Sequence, residues 1–420
     1  MSTIDLIPGS ARDSKASLHR LGISLLLIAF FLGAGAVKAS TTEVIYSFTG
    51  DAGGEYCDTD VAIDAAGNLY GTSVLGGQFG GGTVWQLSPV GAGWVHTVLY
   101  NFTGGADGGE PYKGVTLDAA GNLYGSAVTG GAGSCEGGCG VTYRLTKSGT
   151  TWTQSVIHAF TGGADGAGPG ARVALDKRGT VYGMTPIGGA NGLGTIYALR
   201  PKSNGNYALR VIHTFTGGAD GSSGSAGKLL LRGGSIYGVA TTGGANGSGT
   251  VFQLTPVERE AWDFKTLYSF QGAPDGVFPY GALLFDAEGN LYGTTYYGGT
   301  SGLGTVYKLS PDSVGGWSET VLYSFKTGSD GNSSISNLVA DAAGNLYGTT
   351  SEGGLGSGTI FELSPHQNGM WTESLPHLFE GSPDGAFPYA GMVADRAGIF
   401  YGATVHGGAD GDGAIYKFTP

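Results

Sequence analysis

Charge is scarce in this chain. Only 13% of its 420 residues are charged, and its 21 Lys and Arg are outnumbered by 33 Asp and Glu. Nucleic-acid backbones are held by clustered Lys and Arg, so an acidic body excludes that class of partner. Cysteine is rarer still: Cys57, Cys135 and Cys139 are the three present, an odd count that leaves one thiol over. No Gly-x-Ser-x-Gly elbow, P-loop or Cys-x-x-Cys pair occurs, which removes the commonest sequence signatures of acyl transfer, nucleotide binding and zinc binding. Glycine, by contrast, is abundant at 83 residues. It does not fall at every third position, which excludes collagen. Interior Gly costs a helix about 1 kcal/mol relative to Ala, which argues against long helices. With 11% aromatic residues the chain is too apolar for a disordered Gly-rich tail. What remains is an all-β protein with many tight turns.

One long apolar run is present, from Leu21 to Val37, preceded by basic residues and followed by Val37-Lys38-Ala39. Small residues at those two flanking positions predict a signal peptide over residues 1–39, with cleavage before Ser40. An uncleaved anchor is the rival, but spanning a bilayer takes about 20 apolar residues and this run is shorter. No second run of that length follows, so the mature chain, residues 40–420, is expected to carry no membrane span and to be secreted or displayed at the cell surface.

Self-similarity is the dominant feature of those residues. Tyr-Gly recurs at Tyr70, Tyr124, Tyr182, Tyr237, Tyr292, Tyr347 and Tyr401. A Gly-Gly pair follows each, and a Phe precedes each: Phe48, Phe102, Phe160, Phe215, Phe270, Phe325 and Phe379. Sixteen residues after the Phe stands Asp in six units and Leu231 in the fourth. Each unit reads as four short strands. In the fifth these are Ala282–Phe285, a turn at 286–290, Leu291–Thr295, a Gly-rich loop, Thr305–Leu309, and Trp317–Phe325. Four strands in about 50 residues, repeated, is the blade of a propeller. The segment from Thr42 to Phe48 matches an outermost strand, and Ala414 to Phe418 matches the strand beside it. The pattern therefore predicts seven four-stranded antiparallel blades in one domain, the last closed by the N-terminal strand, which removes an open edge. A β-solenoid would leave that complementarity unexplained.

The units LFDAEGNLYGTTYYGGTSGLGTVYKLSP and PDGAFPYAGMVADRAGIFYGATVHGG resemble the GloVer tandem repeat of exported bacterial "choice-of-anchor" proteins. The resemblance covers essentially the whole mature chain and implies export or surface display. It brings no catalytic residues with it.

Strand alternation puts the loops after the second and fourth strands of every blade on one face, the top. Five residues after each Phe the top loops carry Asp107, Asp165, Asp220, Asp275, Asp330 and Asp384, with Gly53 in the seventh place. Such a ring of carboxylates offers calcium its oxygen ligands; Asx turns before Gly are the alternative, and no other cofactor is expected. Aromatic residues gather at the entrance to the first strand in some blades only: Tyr112, Phe278, Tyr280, Phe387 and Tyr389, with Tyr296 and Tyr297 in a neighbouring loop. Rings with polar tips form sugar-binding platforms, and they equally fill the gaps between blades. His406, near Asp410 and Asp412, is a candidate base. The second unit is four residues longer between its Gly-Gly and its third strand, and that insertion holds Cys135 and Cys139. A local Cys135–Cys139 disulfide with Cys57 unpaired is expected, against a rival bridge from Cys57.

Two functions follow. The first is an exported, non-catalytic propeller binding a glycan or protein; the second is a glycan hydrolase or lyase working on the top face. The first is favoured because the repeats depart from one another chiefly by Gly, Ser and Tyr, whereas a catalytic site breaks repeat symmetry with charge.

Overall fold

The computed structural model describes residues 40–222, 227–257 and 261–420. The expected signal peptide lies outside the described residues. Seven antiparallel sheets form the blades of a propeller, spanning residues 62–101, 116–159, 174–214, 230–269, 284–324, 339–378, and 393–419 together with 41–47. Strands are lettered A to D from the axis outward. In blade 5 they are Leu284–Phe285, Leu291–Gly298, Thr305–Pro311 and Trp317–Ser324. Strand A is thus half as long as the sequence suggests. A separate piece, Gly276–Pro279, pairs with the upper end of strand B in its place.

Thr41–Ser47 is strand D of blade 7, with Thr41 opposite Thr419 and Ser47 opposite Ala414. Its register slips between Val44 and Tyr46. The other six C–D pairs slip at the corresponding place, as between Val306 and Tyr307 in blade 5. The N-terminal strand therefore carries the bulge of a true strand D.

Apolar burial lies between blades, in seven clusters. The Phe that ends each strand D is fully buried and meets the strand C aromatic of the following blade. Phe48–Trp85, Phe160–Tyr197, Phe270–Tyr307 and Phe379–Tyr416 have ring centroids 5.7, 5.0, 5.0 and 5.2 Å apart, mostly edge to face. This explains the Tyr-Gly repeat. A Cβ at Gly293 would collide with the Tyr307 hydroxyl, and one at Gly71 with the Trp85 indole, so the Gly clears the strand C ring of its own blade. The Tyr of the pair supports the bottom turn: Asp286 Oδ1 accepts Asn290 N at 2.7 Å, and Oδ2 accepts the Tyr292 hydroxyl at 3.0 Å. Blade 4 has Leu231 where the others have Asp. There Arg232 pairs with Ser235 across a shorter turn, Leu230 rather than the preceding residue faces Tyr237, and the top segment leading to strand A is one residue longer.

Outer strands interlock through a residue six before the Phe. In blade 2 it is Gln154, whose Nε2 donates to the Asp107 carbonyl at 3.0 Å. In blades 5 and 6 it is Glu319 and Glu373. These lie beside Asp275 and Asp330, and burial together with the neighbouring carboxylate pushes each Glu up to about 7.

Candidate functional site

Each chain segment from strand D to the next strand A climbs over the top and descends to the axis. Eight residues after the Phe it turns through a left-handed conformation, at Tyr56, Glu110, Gly168, Phe278, Ser333 and Phe387, with φ between 55° and 65°. Glycine would be the unstrained choice, yet only one of these six is Gly. The turn is held from the preceding blade: Glu110 N donates to Gly81 O at 3.0 Å, Phe278 N to Ser248 O at 2.9 Å, and Phe387 N to Ser357 O at 2.8 Å. Non-Gly residues at a left-handed position cost about 1–3 kcal/mol each and persist only where the surrounding structure holds them.

These residues and the expected aromatic set come together at the top. Tyr280 meets Tyr296 at 5.9 Å, Tyr296 meets Tyr297 at 4.4 Å, and Tyr297 meets Phe278 at 6.1 Å between centroids. Phe387 stacks on Tyr389 at 6.4 Å and meets His406 edge-on at 5.9 Å; His406 in turn meets Tyr56 at 5.7 Å. Tyr389 is raised by burial first, then by Tyr56 and Tyr296. Tyr112 is raised by burial, Glu110, Tyr56 and Asp58. Six of the seven expected aromatics are half-buried and Tyr297 is exposed. The result is an aromatic rim built from the approaches to blades 1, 2, 5 and 7.

Inside the rim lies a small cavity on the axis, lined by Asp60, Lys113, Gly227, Tyr280, Ile335, Asn337 and Tyr389. Its floor is charged. Lys113 Nζ bonds Asp58 Oδ1 at 2.6 Å. Burial alone would lower Lys113, but Asp58 and Asp60 outweigh it and hold the ammonium above its ordinary range. Arg172 reaches over from blade 3 past Gly114. Its Nε donates to Thr116 Oγ1 at 3.2 Å and its Nη1 to the Asp60 carbonyl at 3.4 Å. Asp60 Oδ1 accepts Gly391 N at 3.3 Å, which ties blade 1 to blade 7 at the axis. Lys228 has no hydrogen-bond or ion-pair partner among the described residues, and burial with Arg172 nearby lowers it to about 7, against the pull of Asp60.

None of these floor residues stands among the sequence candidates. The signal was there: they occupy the last positions before the buried apolar start of strand A, where other blades have Gly114, Ala282 and Gly391. The expectation that the repeats depart chiefly by Gly, Ser and Tyr overlooks Lys113, Arg172 and Lys228. The one-residue offset of blade 4, which aligns Lys228 with Arg172 and Asp60, is visible only in the strand register.

The six Asp of the top loops do not converge. Each serves its own loop, accepting from the residue seven before it and from the backbone N–H four before it. Asp107 takes the Tyr100 hydroxyl and Thr103 N, both at 2.9 Å, and Asp220 takes His213 Nε2 at 3.0 Å and Thr216 N at 2.9 Å. Asp165, Asp275, Asp330 and Asp384 repeat the pattern with His158, Tyr268, Tyr323 and His377. No group of three or more acidic, His or Cys side chains among the described residues could hold a metal ion. Cys135 and Cys139 are joined, with Cα atoms 5.1 Å apart, and their sulfurs lie against Gly162 of the next top loop. Cys57 is buried and free, its thiol 3.6 Å from the Thr72 carbonyl oxygen.

Three overlapping stretches of the chain, residues 36–223, 132–354 and 233–420, match the model of the Gloeobacter/Verrucomicrobia repeat. No curated protein matches. Among solved structures, a Lactobacillus plantarum protein is similar at 15% identity and TM-score 0.48, over 80% of this chain and 88% of its own. A Thermus thermophilus protein, described as a candidate oxidoreductase (glucose dehydrogenase), is similar at 15% identity and TM-score 0.43, over 91% and 100%. A Dyadobacter fermentans protein of unknown function is similar at 12% identity and TM-score 0.42, over 91% and 99%.

Proposed function

This chain belongs to the Gloeobacter/Verrucomicrobia repeat family, and from that premise we propose that it is an exported, non-catalytic propeller that binds a glycan in the cup at the top of its axis. The observation that carries the reading is the aromatic rim itself. Tyr112 from blade 2, Tyr280, Tyr296 and Tyr297 from blade 5, and Phe387 and Tyr389 from blade 7 have no aromatic counterpart in blades 3, 4 and 6, and ring a polar floor. Phenol rings cover the apolar faces of sugars, and their hydroxyls bond sugar hydroxyls. Strain at Phe278 and Phe387, which blade 3 avoids with Gly168, fits side chains held out for use.

Most glycoside hydrolases act through two carboxylates free to reach the sugar. Of the floor carboxylates, Asp58 is paired with Lys113 and one oxygen of Asp60 accepts the Gly391 N–H, an arrangement that favours binding over turnover. Export is supported by the apolar run before Lys38 and by a disulfide in the inserted loop of blade 2, since such bonds persist in oxidising compartments. The test is calorimetric titration of the chain lacking residues 1–39 against a panel of soluble polysaccharides, with product analysis of the same mixtures. Saturable binding that Tyr280→Ala and Tyr389→Ala weaken at least tenfold, with no cleavage, is the expected result. Cleavage of a bound polysaccharide would replace this reading with an enzymatic one.

A further inference from the structure

The floor of the cup contradicts the charge of the rest of the molecule. The chain has a formal net charge of −12, yet three cations, Lys113, Arg172 and Lys228, converge on its axis. Lys113 and Asp58 balance each other at 2.6 Å. That leaves Asp60 alone to answer both Arg172 and Lys228. Arg172 meets the carbonyl of Asp60 rather than its carboxylate, and one carboxylate oxygen is already taken by Gly391 N. Lys228 has no protein partner among the described residues.

Arg172 and Lys228 are only partly exposed, and two cations drawn from water against one shared carboxylate are best answered by an anion from outside. The cavity on the axis opens beside them, lined by Asp60, which Arg172 reaches, and by Gly227, next to Lys228. Arg172 spends Nε and Nη1 on the protein, and its Nη2 has no acceptor among the described residues. A guanidinium edge and an ammonium together suit a planar two-oxygen anion.

We propose that the floor of the cup is a carboxylate subsite, so that the glycan taken there is an acidic one whose uronate group sits between Arg172 and Lys228; this rests on the glycan reading above. The rim tyrosines then hold the sugar ring while the two cations select for its charge. Asp60 sets the depth at which the carboxylate stops, since its negative charge turns a second carboxylate back.

Three uronate oligosaccharides serve as probes: oligogalacturonate, oligomannuronate and a hyaluronan fragment, each paired with its carboxyl-reduced, uncharged counterpart. At least one acid is expected to bind tenfold or more tighter than its reduced partner. Lys228→Met should abolish that preference, and without sugar its melting temperature should not fall below that of the unmodified chain, since the substitution removes an unpaired cation. Arg172→Gln is a second variant with the same expected loss of preference. Should no acid bind better than its reduced partner, or should Lys228→Met leave the preference intact, the carboxylate subsite is overturned. If the reduced sugars still bind in a Tyr389-dependent way, the glycan reading survives without it. If neither form of any probe binds, the carboxylate subsite is rejected together with the glycan reading for these sugars.

Discussion

Glu319 and Glu373 should make the protein less stable as the solution becomes more alkaline, and replacing both by Gln should remove that loss. Each sits on an outer strand beside the carboxylate of the preceding top loop, Asp275 or Asp330. Tyr268 faces the first pair, and Tyr323 and Lys326 face the second. Burial and the neighbouring carboxylate raise each Glu from 4.5 to about 7. A carboxyl group raised on folding holds its proton longer in the native state. Its contribution is therefore complete below pH ~4.5 and is lost as the pH climbs through ~7. At about 1.4 kcal/mol per pH unit the full loss would be about 3.5 kcal/mol for each group. Both side chains keep contact with water, and screening reduces this to roughly 1–2 kcal/mol each. For a domain of this size, two such losses amount to a melting shift of about 3–5 °C. Gln is already the solution used in blade 2, where Gln154 donates to the loop carbonyl, so Glu319→Gln with Glu373→Gln should fit both sites. The assay is thermal melting of both proteins from pH 4.5 to 8.5, read as a difference. That difference cancels His96, which burial lowers to about 4 and which acts in the opposite sense over the acidic part of the range. The double variant should match the wild type near pH 4.5 and exceed it by several degrees at pH 8. Parallel curves would show that the two glutamates are ionised in the native state near pH 4.5, and the reasoning would fail.

Further expectations follow from other parts of the molecule. Deleting residues 40–50 exposes the Ala414–Thr419 edge and should lower the melting temperature by 10 °C or more with concentration-dependent aggregation; a truncated protein that melts like the intact one would refute the closure. Gly293→Ala drives a methyl into the Tyr307 ring and should cost about 3 kcal/mol or more in denaturant unfolding, whereas Gly302→Ala meets nothing and should cost only ~1–2 kcal/mol for its left-handed backbone. Tyr197→Phe loses the 2.9 Å bond to Thr142 and should cost about 1 kcal/mol, while Tyr307→Phe removes a buried hydroxyl with no protein partner and should be neutral or stabilising in the same assay. Affinity for a uronate oligosaccharide should fall severalfold between pH 6 and pH 8.5 as Lys228, faced by Arg172 and Asp60, gives up its proton, and Lys228→Met should flatten that profile.

The blade number, the strand order and the closing pair were legible because each rests on residues repeated seven times at a fixed offset. Phe, Tyr-Gly and the turn Asp all occupy positions where every blade faces the same packing problem. Strand A was misjudged for a related reason. Its apolar residues, such as Ala282 and Leu283, read as strand, yet the upper half of that segment turns toward the axis and meets the next blade instead of strand B; Gly281 lies against Ser336. The rim was partly legible because aromatic departures from a repeat are conspicuous. Tyr56 escaped notice because its significance lies in a positive φ, which leaves no mark when the residue is not Gly. The floor was missed because its charges are scattered along the chain from Asp58 to Lys228 and converge only at the axis. Only the paired strands show that Lys228 stands where Arg172 and Asp60 stand.

The described chain starts and finishes on the same side of the ring. Thr41 lies opposite Thr419 at the bottom end of blade 7, away from the cup. A tether on either end, whether a surface linkage, a fused module or a sensor chip, therefore leaves the aromatic rim pointing outward. The arrangement also decides how the ring responds to pulling. Tension applied between the two ends acts on the Thr41–Thr419 pair first and opens the clasp one rung at a time, like a zipper. Tension applied through one end and a ligand in the cup crosses whole blades, where many rungs share the load at once. A molecule fastened at one end and gripped at the top would hold against flow, and one stretched between its two ends would yield at low force.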